Sequence, residues 1–378
     1  MSENETPDSG DPGPAGTVDA DDQLPPVSPP TAGFLMQLFI VPMVIVIIIV
    51  MVCLMFNWLA HLGTRPEDLV DDLERLNPGS WQKALTIANY LCDPNQSELR
   101  QNQLMADRLA EVLDKQMEVG AMSDEQIQLR VYLCRALGVF EVDNGMPALI
   151  TASSTQRDPK ELEVRLAALE ALATLADGVP DGKKLMRGNP KLIKTIDAAA
   201  REFDETGLEK QANAELRQRA AYALGVIGGE QCQDTLAKMT SDPEWAVRFN
   251  AATGLARNGD ARGVDQLIAM LRPADLTGVD GQPLDPATSF SIVRNGLRAI
   301  MQLNDVNSTA DLSALQVAVQ QLVDKDPQGA IGVDAKVTLQ ALKARNVATL
   351  RRNAKQNVCC ARAMKRSRCA DWPVGEAA

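Results

Sequence analysis

Glu215-Leu-Arg217-Gln-Arg-Ala220-Ala221-Tyr-Ala-Leu224-Gly225 is the stretch that decides the fold, because it returns in altered form along the chain. It reappears as Trp245-Ala-Val-Arg248-Phe-Asn-Ala251-Ala252-Thr-Gly-Leu255 and as Glu163-Val-Arg165-Leu-Ala-Ala168-Leu169-Glu-Ala-Leu172. Looser copies surround Arg130, Arg294 and Lys336. Self-similarity of this kind marks a repeat architecture, in which each unit buries its apolar face only against its neighbours. Counted from Arg217, the residues Ala220, Ala221, Leu224 and Ile227 fall on one helical face. The alanine pair lets an adjoining helix come close, and the leucine fills the space behind it. Gly225, Gly228 and Gly229 read as the stop of this helix, as Gly259 does for the next.

Helical periodicity extends over residues 66–344, with no sustained period-two alternation. Breakers such as Asp93-Pro94-Asn95, Asn189-Pro190, Ser241-Asp242-Pro243 and Asn258-Gly259-Asp260 separate the segments and supply N-caps and first-turn prolines. The pattern predicts an all-α solenoid of about seven antiparallel helix pairs. The second helices are placed near 80–92, 124–138, 160–176, 209–228, 244–258, 288–303 and 330–345. The spacing of the motif position varies between 31 and 52 residues, so insertion loops are expected at Asp177–Pro190 and Pro273–Thr288.

This arrangement resembles the HEAT family, especially its short bilin-lyase-like repeats. The match is best over Leu216 to Leu271, where Asp242, Pro243, Val247 and Arg248 fit the family's turn into its second helix. The resemblance implies that Arg217, Asp242 and Arg248 tie neighbouring repeats together, with Arg165 at the same repeat position. It says nothing about a reaction.

Four segments differ in composition. Residues 1–33 hold seven acids, no Lys or Arg, and many Pro, Gly and Ser, which predicts a disordered acidic tail. Residues 34–62 contain the only long apolar run, with no charge from Gln23 to Thr64. About 20 apolar residues match a bilayer core, so a single transmembrane helix is expected here and the lipid bilayer is its partner. Residues 63–344 carry the repeats, and residues 345–378 form a basic tail containing Cys359, Cys360 and Cys369. Arg65, Arg75 and Lys83 follow the span while no basic residue precedes it. The positive-inside rule therefore places the acidic tail outside and the repeats in the cytoplasm. Seven cysteines without regular spacing accord with a reducing compartment.

The chemistry available is narrow. His61, the only histidine, borders the apolar run, which removes histidine-based triads and zinc sites from the repeats. No Gly-rich phosphate loop is present. The Asp305–Asp311 loop lacks the Gly and Glu that a calcium loop needs at its sixth and twelfth positions, and three tail cysteines do not make a zinc site. No catalytic residue, metal or cofactor is assigned. Residues 64–344 hold 30 basic and 41 acidic residues, which argues against general nucleic-acid binding. The tail residues Arg351, Arg352, Lys355, Arg362, Lys365, Arg366 and Arg368 offer contact with an anionic surface, a fold back onto the acidic repeats, or simple solvation. These readings lead to a membrane-anchored, non-enzymatic scaffold that binds protein partners. A structural subunit of a membrane complex is the second expectation. The third, implied by the resemblance, is a bilin-lyase-like enzyme.

Overall fold

A computed structural model describes residues 32–61, 66–74, 79–202, 210–273, 282–325 and 328–345. The acidic tail as far as residue 31, the basic tail from 346, and Asp275 and Asp280 of the second expected insertion lie outside these residues. The chain divides into two units, Met1–Thr64 and Arg65–Ala378.

In the first unit, helix α1 (Ala32–His61) carries Pro42 within it. Its segment Met36–Asn57 is 22 residues long with a mean hydropathy of 3.4. A helix rises 1.5 Å per residue, so this segment is long and apolar enough to cross a bilayer core.

In the second unit, α2 (Pro66–Glu74) pairs with α3 (Ser80–Cys92) and, after the one-turn α4 (Ser97–Arg100), α5 (Gln103–Val119) pairs with α6 (Asp124–Val139). Next come α7 (Met146–Ser154) with α8 (Glu161–Gly178), the short α9 (Gly182–Arg187), and α10 (Pro190–Ala200) with α11 (Lys210–Ile227). The series continues with α12 (Glu230–Met239) and α13 (Trp245–Arg257), and α14 (Val264–Met270) and α15 (Pro286–Val306). Last come α16 (Ser313–Lys325) and α17 (330–345), joined by a Lys343–Gln320 hydrogen bond. Each second helix packs on the second helix of the next pair through the run α3, α6, α8, α11, α13, α15. This is an α-solenoid, and no β-strand occurs among the described residues.

The apolar spacing accounts for the stack. Ala220, Ala221, Leu224 and Ile227 are fully buried, as are the equivalent Ala251, Leu255, Ala168, Leu172, Leu133 and Leu137. A middle second helix has neighbours on both flanks and buries two faces. In α13, Val247, Ala251 and Leu255 face the preceding repeats, whereas Phe249, Ala252 and Ala256 pack with the following ones.

Helix starts follow capping chemistry. The Asn189 side chain accepts a hydrogen bond from the Leu192 N–H ahead of Pro190, and Asp285 accepts from Ala287 and Thr288 ahead of Pro286.

Three details differ from expectation. The Asp177–Pro190 segment is not a plain loop but contains α9, whose Arg187 Nε donates to the Ile227 carbonyl at 2.7 Å. Gly225 does not stop α11, which runs on to Ile227; the stop is Gly228, at φ 69°. The α13 helix begins after Glu244, leaving Asp242 and Pro243 in the turn, where the Asp242 carboxylate accepts from the Glu244 N–H.

Candidate functional site

Arginines of the second helices bond to the turns that begin their own and the following second helix. Arg217 Nε donates to Asp242 Oδ2 at 2.7 Å and Nη2 to Oδ1 at 3.1 Å, while Nη1 reaches the Glu202 carbonyl at 3.1 Å. Arg165 donates to both carboxylate oxygens of Glu202, at 3.0 and 2.6 Å. Arg248 Nη1 donates to the Asp242 and Pro243 carbonyls at 2.7 and 2.8 Å. Glu202 and Asp242 are thus used twice. Each accepts with its carboxylate from the preceding second helix and with its carbonyl from its own.

Arg130, fully buried, repeats the scheme with Glu161 Oε1 at 3.4 Å and the Ala121 carbonyl at 2.6 Å. Its Glu161 is also clamped by Arg157, whose N–H donates to Oε2 at 2.6 Å. The Arg294–Asp334 pair is looser, at 3.5 Å, with both side chains about half exposed. The motif brings Arg217 and Asp242 together directly. Arg248 joins them through a backbone carbonyl rather than through a second carboxylate. The partners Glu161 and Glu202 are not singled out by the sequence; Glu161 opens α8, whereas Glu202 follows the end of α10.

Burial by itself pushes the Glu161 carboxyl up, but hydrogen bonds and charge from Arg157, with Arg130 adding to them, hold it below its ordinary value. A carboxylate depressed in the folded state contributes stability above its unfolded pKa, about 4.3. That contribution is lost as pH falls through the lower folded value. Acidification below about pH 5 is therefore expected to weaken the α6–α8 junction. The urea midpoint of Glu161→Gln, followed by circular dichroism, should fall less steeply with acid than that of the wild type. Equal slopes would show that Glu161 does not carry this dependence.

The opposite edges of the second helices form a solvent-facing surface with two hollows. The smaller, about 280 Å³, lies over α3, α6 and α8 and includes Asn89, Tyr132, Arg135 and Glu170. The Arg135 guanidinium sits 5.4 Å from the Tyr132 ring centroid, and Trp81 stacks on the same tyrosine at 6.3 Å. Between the hollows, Arg219 of α11 pairs with Glu170 of α8 at 3.2 Å. The larger hollow, about 730 Å³, lies over α11, α13 and α15. Its lining combines Tyr222, Trp245 and Phe249 with Gln218, Asn250, Asn295 and Gln302, and with the guanidiniums of Arg257 and Arg298. Trp245 and Phe249 meet in a tilted pair at 5.5 Å, and Arg257 lies 5.8 Å from the Tyr222 centroid.

Residues 205–277 match the family model described as HEAT repeats. This segment carries HEAT repeats. Among solved structures it is similar to a designed armadillo repeat protein, at 18% identity over 68% of this chain and 98% of that one, with a TM-score of 0.34. It is also similar to the Escherichia coli protein YibA, at 18% identity over 74% and 97% with a TM-score of 0.29. Human deoxyhypusine hydroxylase in complex with glycerol gives 17% identity, 74% and 97% coverage, and a TM-score of 0.26. No curated protein matches the chain.

Further along the solenoid, the Asp305–Asp311 loop is a structural turn. Asn307 Oδ1 accepts from the Thr309 and Ala310 N–H groups, and its Nδ2 donates to the carbonyl of Gly259, in the turn after α13, at 2.7 Å. Among the described residues, no cluster of three His, Cys, Asp or Glu could hold a metal. The thiols of Cys134 and Cys232 are buried, and burial pushes them up to about 12 and about 11, which makes them poor nucleophiles at neutral pH. The tail residues Arg351, Arg352, Lys355, Arg362, Lys365, Arg366 and Arg368 lie outside the described residues.

Proposed function

We propose that the protein is a membrane-anchored, non-catalytic scaffold that recruits protein partners to its HEAT repeats. The observation that carries this reading is the second-helix surface, where polar and aromatic side chains of successive repeats line open hollows. Surfaces of this kind, assembled from many helices on a rigid stack, suit extended partners. The apolar segment Met36–Asn57 supports a single bilayer anchor. With Arg65, Arg75 and Lys83 following the span and no basic residue before it, the repeats lie in the cytoplasm in this reading. The anchor confines the scaffold to two dimensions and raises the local concentration of what it binds.

Gentle solubilisation and affinity purification test the proposal. Partners recovered with the full chain are expected to disappear when residues 160–345 are removed. Identical partner sets from both proteins would end the recruitment reading.

A further inference from the structure

We propose that the hollow over α11, α13 and α15 binds an acidic peptide segment of another protein. This deepens the scaffold reading and rests on it. The first argument is local charge. Residues 64–344 carry 41 acidic and 30 basic residues, yet among the described residues the lining of this hollow includes two arginines and no Asp or Glu. Of the carboxylates next to the lining, Asp285 is occupied as the α15 cap, accepting from the Ala287 and Thr288 N–H groups and from the Thr288 hydroxyl, and Glu244 precedes Trp245 without itself lining the hollow.

The second argument is pairing. Arg130, Arg165, Arg217, Arg219 and Arg262 all have carboxylate partners. Arg187, Arg248, Arg272 and Arg345 donate instead to carbonyl or amide oxygens. Arg257 and Arg298, which both line the hollow, have neither kind of acceptor among the described residues. Two exposed guanidiniums on one hollow give it positive charge within an otherwise acidic domain, which favours an anionic ligand there. The Arg257 guanidinium lies within cation–π range of the Tyr222 ring, a contact that does not use its N–H donors.

The third argument is size and lining. About 730 Å³ open to solvent across three helices exceeds what one side chain fills. Asn250 and Asn295 line it with amides that can both donate to and accept from a peptide backbone. Charge complementarity of this type selects partners and speeds encounter. The chain's own acidic segment, residues 1–31, is not the occupant. A chain that crosses a bilayer once, as proposed above, keeps that segment on the face opposite its repeats.

The test uses the full chain in detergent micelles and fluorescence anisotropy. The probes are a fluorescein-labelled glutamate-rich peptide with one phenylalanine and its copy with lysine at every glutamate. The glutamate peptide is expected to bind, and the lysine copy not to. Binding should weaken about tenfold in Arg257→Glu/Arg298→Glu. It should also weaken as salt shortens the screening length. Arg257→Gln/Arg298→Gln removes the charge without introducing its opposite, so it reports on the site even if the reversed variant is unstable. Lys194→Glu, a charge reversal on the first helix α10, should bind as the wild type does. Failure of the wild type to bind the glutamate peptide would overturn the proposal, as would equal binding of the lysine copy or undiminished binding by both arginine variants. Light scattering that found a dimer dissolved by the double change would assign the hollow to a second copy and overturn it too. Partners that require residues 160–345 but survive the double change would discard this site while leaving the scaffold reading intact.

Discussion

Asp242→Ala is expected to destabilise the junction between α11 and α13 by about 3–5 kcal/mol, the cost of leaving a buried charge without its partner. The Arg217 and Asp242 side chains are only 3% and 2% exposed, and two N–H···O bonds join them in the fork geometry that favours arginine with a carboxylate. Alanine also removes the acceptor for the Glu244 N–H, so the turn into α13 loses its internal tie as well. Arg217→Met alone should cost a comparable amount, because the Asp242 carboxylate then stays buried without its cation. The double change Arg217→Met/Asp242→Leu should cost less than the sum of the two, because buried pairs replaced by apolar groups of similar volume are often close to neutral. A double-mutant cycle from urea unfolding, with hydrogen exchange over residues 210–257, measures the coupling. A coupling under about 0.5 kcal/mol would mean that the pair does not hold the repeats together.

The second large effect is set by backbone contact. A Cβ built at Gly225 falls 2.6 Å from the Gly254 Cα, and one built at Gly254 falls 2.9 Å from the Gly225 Cα. Both glycines lie inside helices, α11 and α13. Two effects then compete in Gly225→Ala. Helix propensity alone favours alanine by about 1 kcal/mol. Overpacking against a backbone that has no side chain to move aside costs about 1–3 kcal/mol. The clash is expected to win, so Gly225→Ala should be destabilising, and Gly225→Val more so. Stability in a repeat array is approximately a sum over units and their interfaces. Faster hydrogen exchange should therefore appear in α11 and α13 while α3 and α6 keep their protection. A stabilised Gly225→Ala protein would show that the two helices can separate at little cost.

The helix pairs were legible because their signal is local. Alanine and leucine at three- and four-residue spacing define an apolar face in any helix that contains them, and the seven expected second helices correspond to α3, α6, α8, α11, α13, α15 and α17. The six residues of α9 span fewer than two turns, too short for a period to show, and packing against α8 and α11 is what makes them helical. Gly225 looked like a stop because glycine ends helices. Its role as a contact residue depends on Gly254, which lies in another helix and is brought opposite it only by the stack.

The candidate site was less legible for the same reason. The arginine positions repeat visibly, but their carboxylates lie 31, 37 and 25 residues further on. That variation follows loop length, which the apolar pattern does not constrain. Glu161 and Glu202 could be recognised only once the turns stood beside the preceding helices. Tyr222, Trp245, Arg257 and Arg298 carry no shared motif, and they become one surface only when α11, α13 and α15 lie side by side.

What this sequence determines alone is the content of each repeat: where helices form, which face is apolar, and that one segment is long enough to cross a bilayer. These depend on neighbours within a few residues. Which charges pair, which glycines touch and what lines the larger hollow are decided by the stacking of helices. Those contacts join residues tens of positions apart, and interrepeat distances of a few ångströms are set only when the apolar faces close on one another.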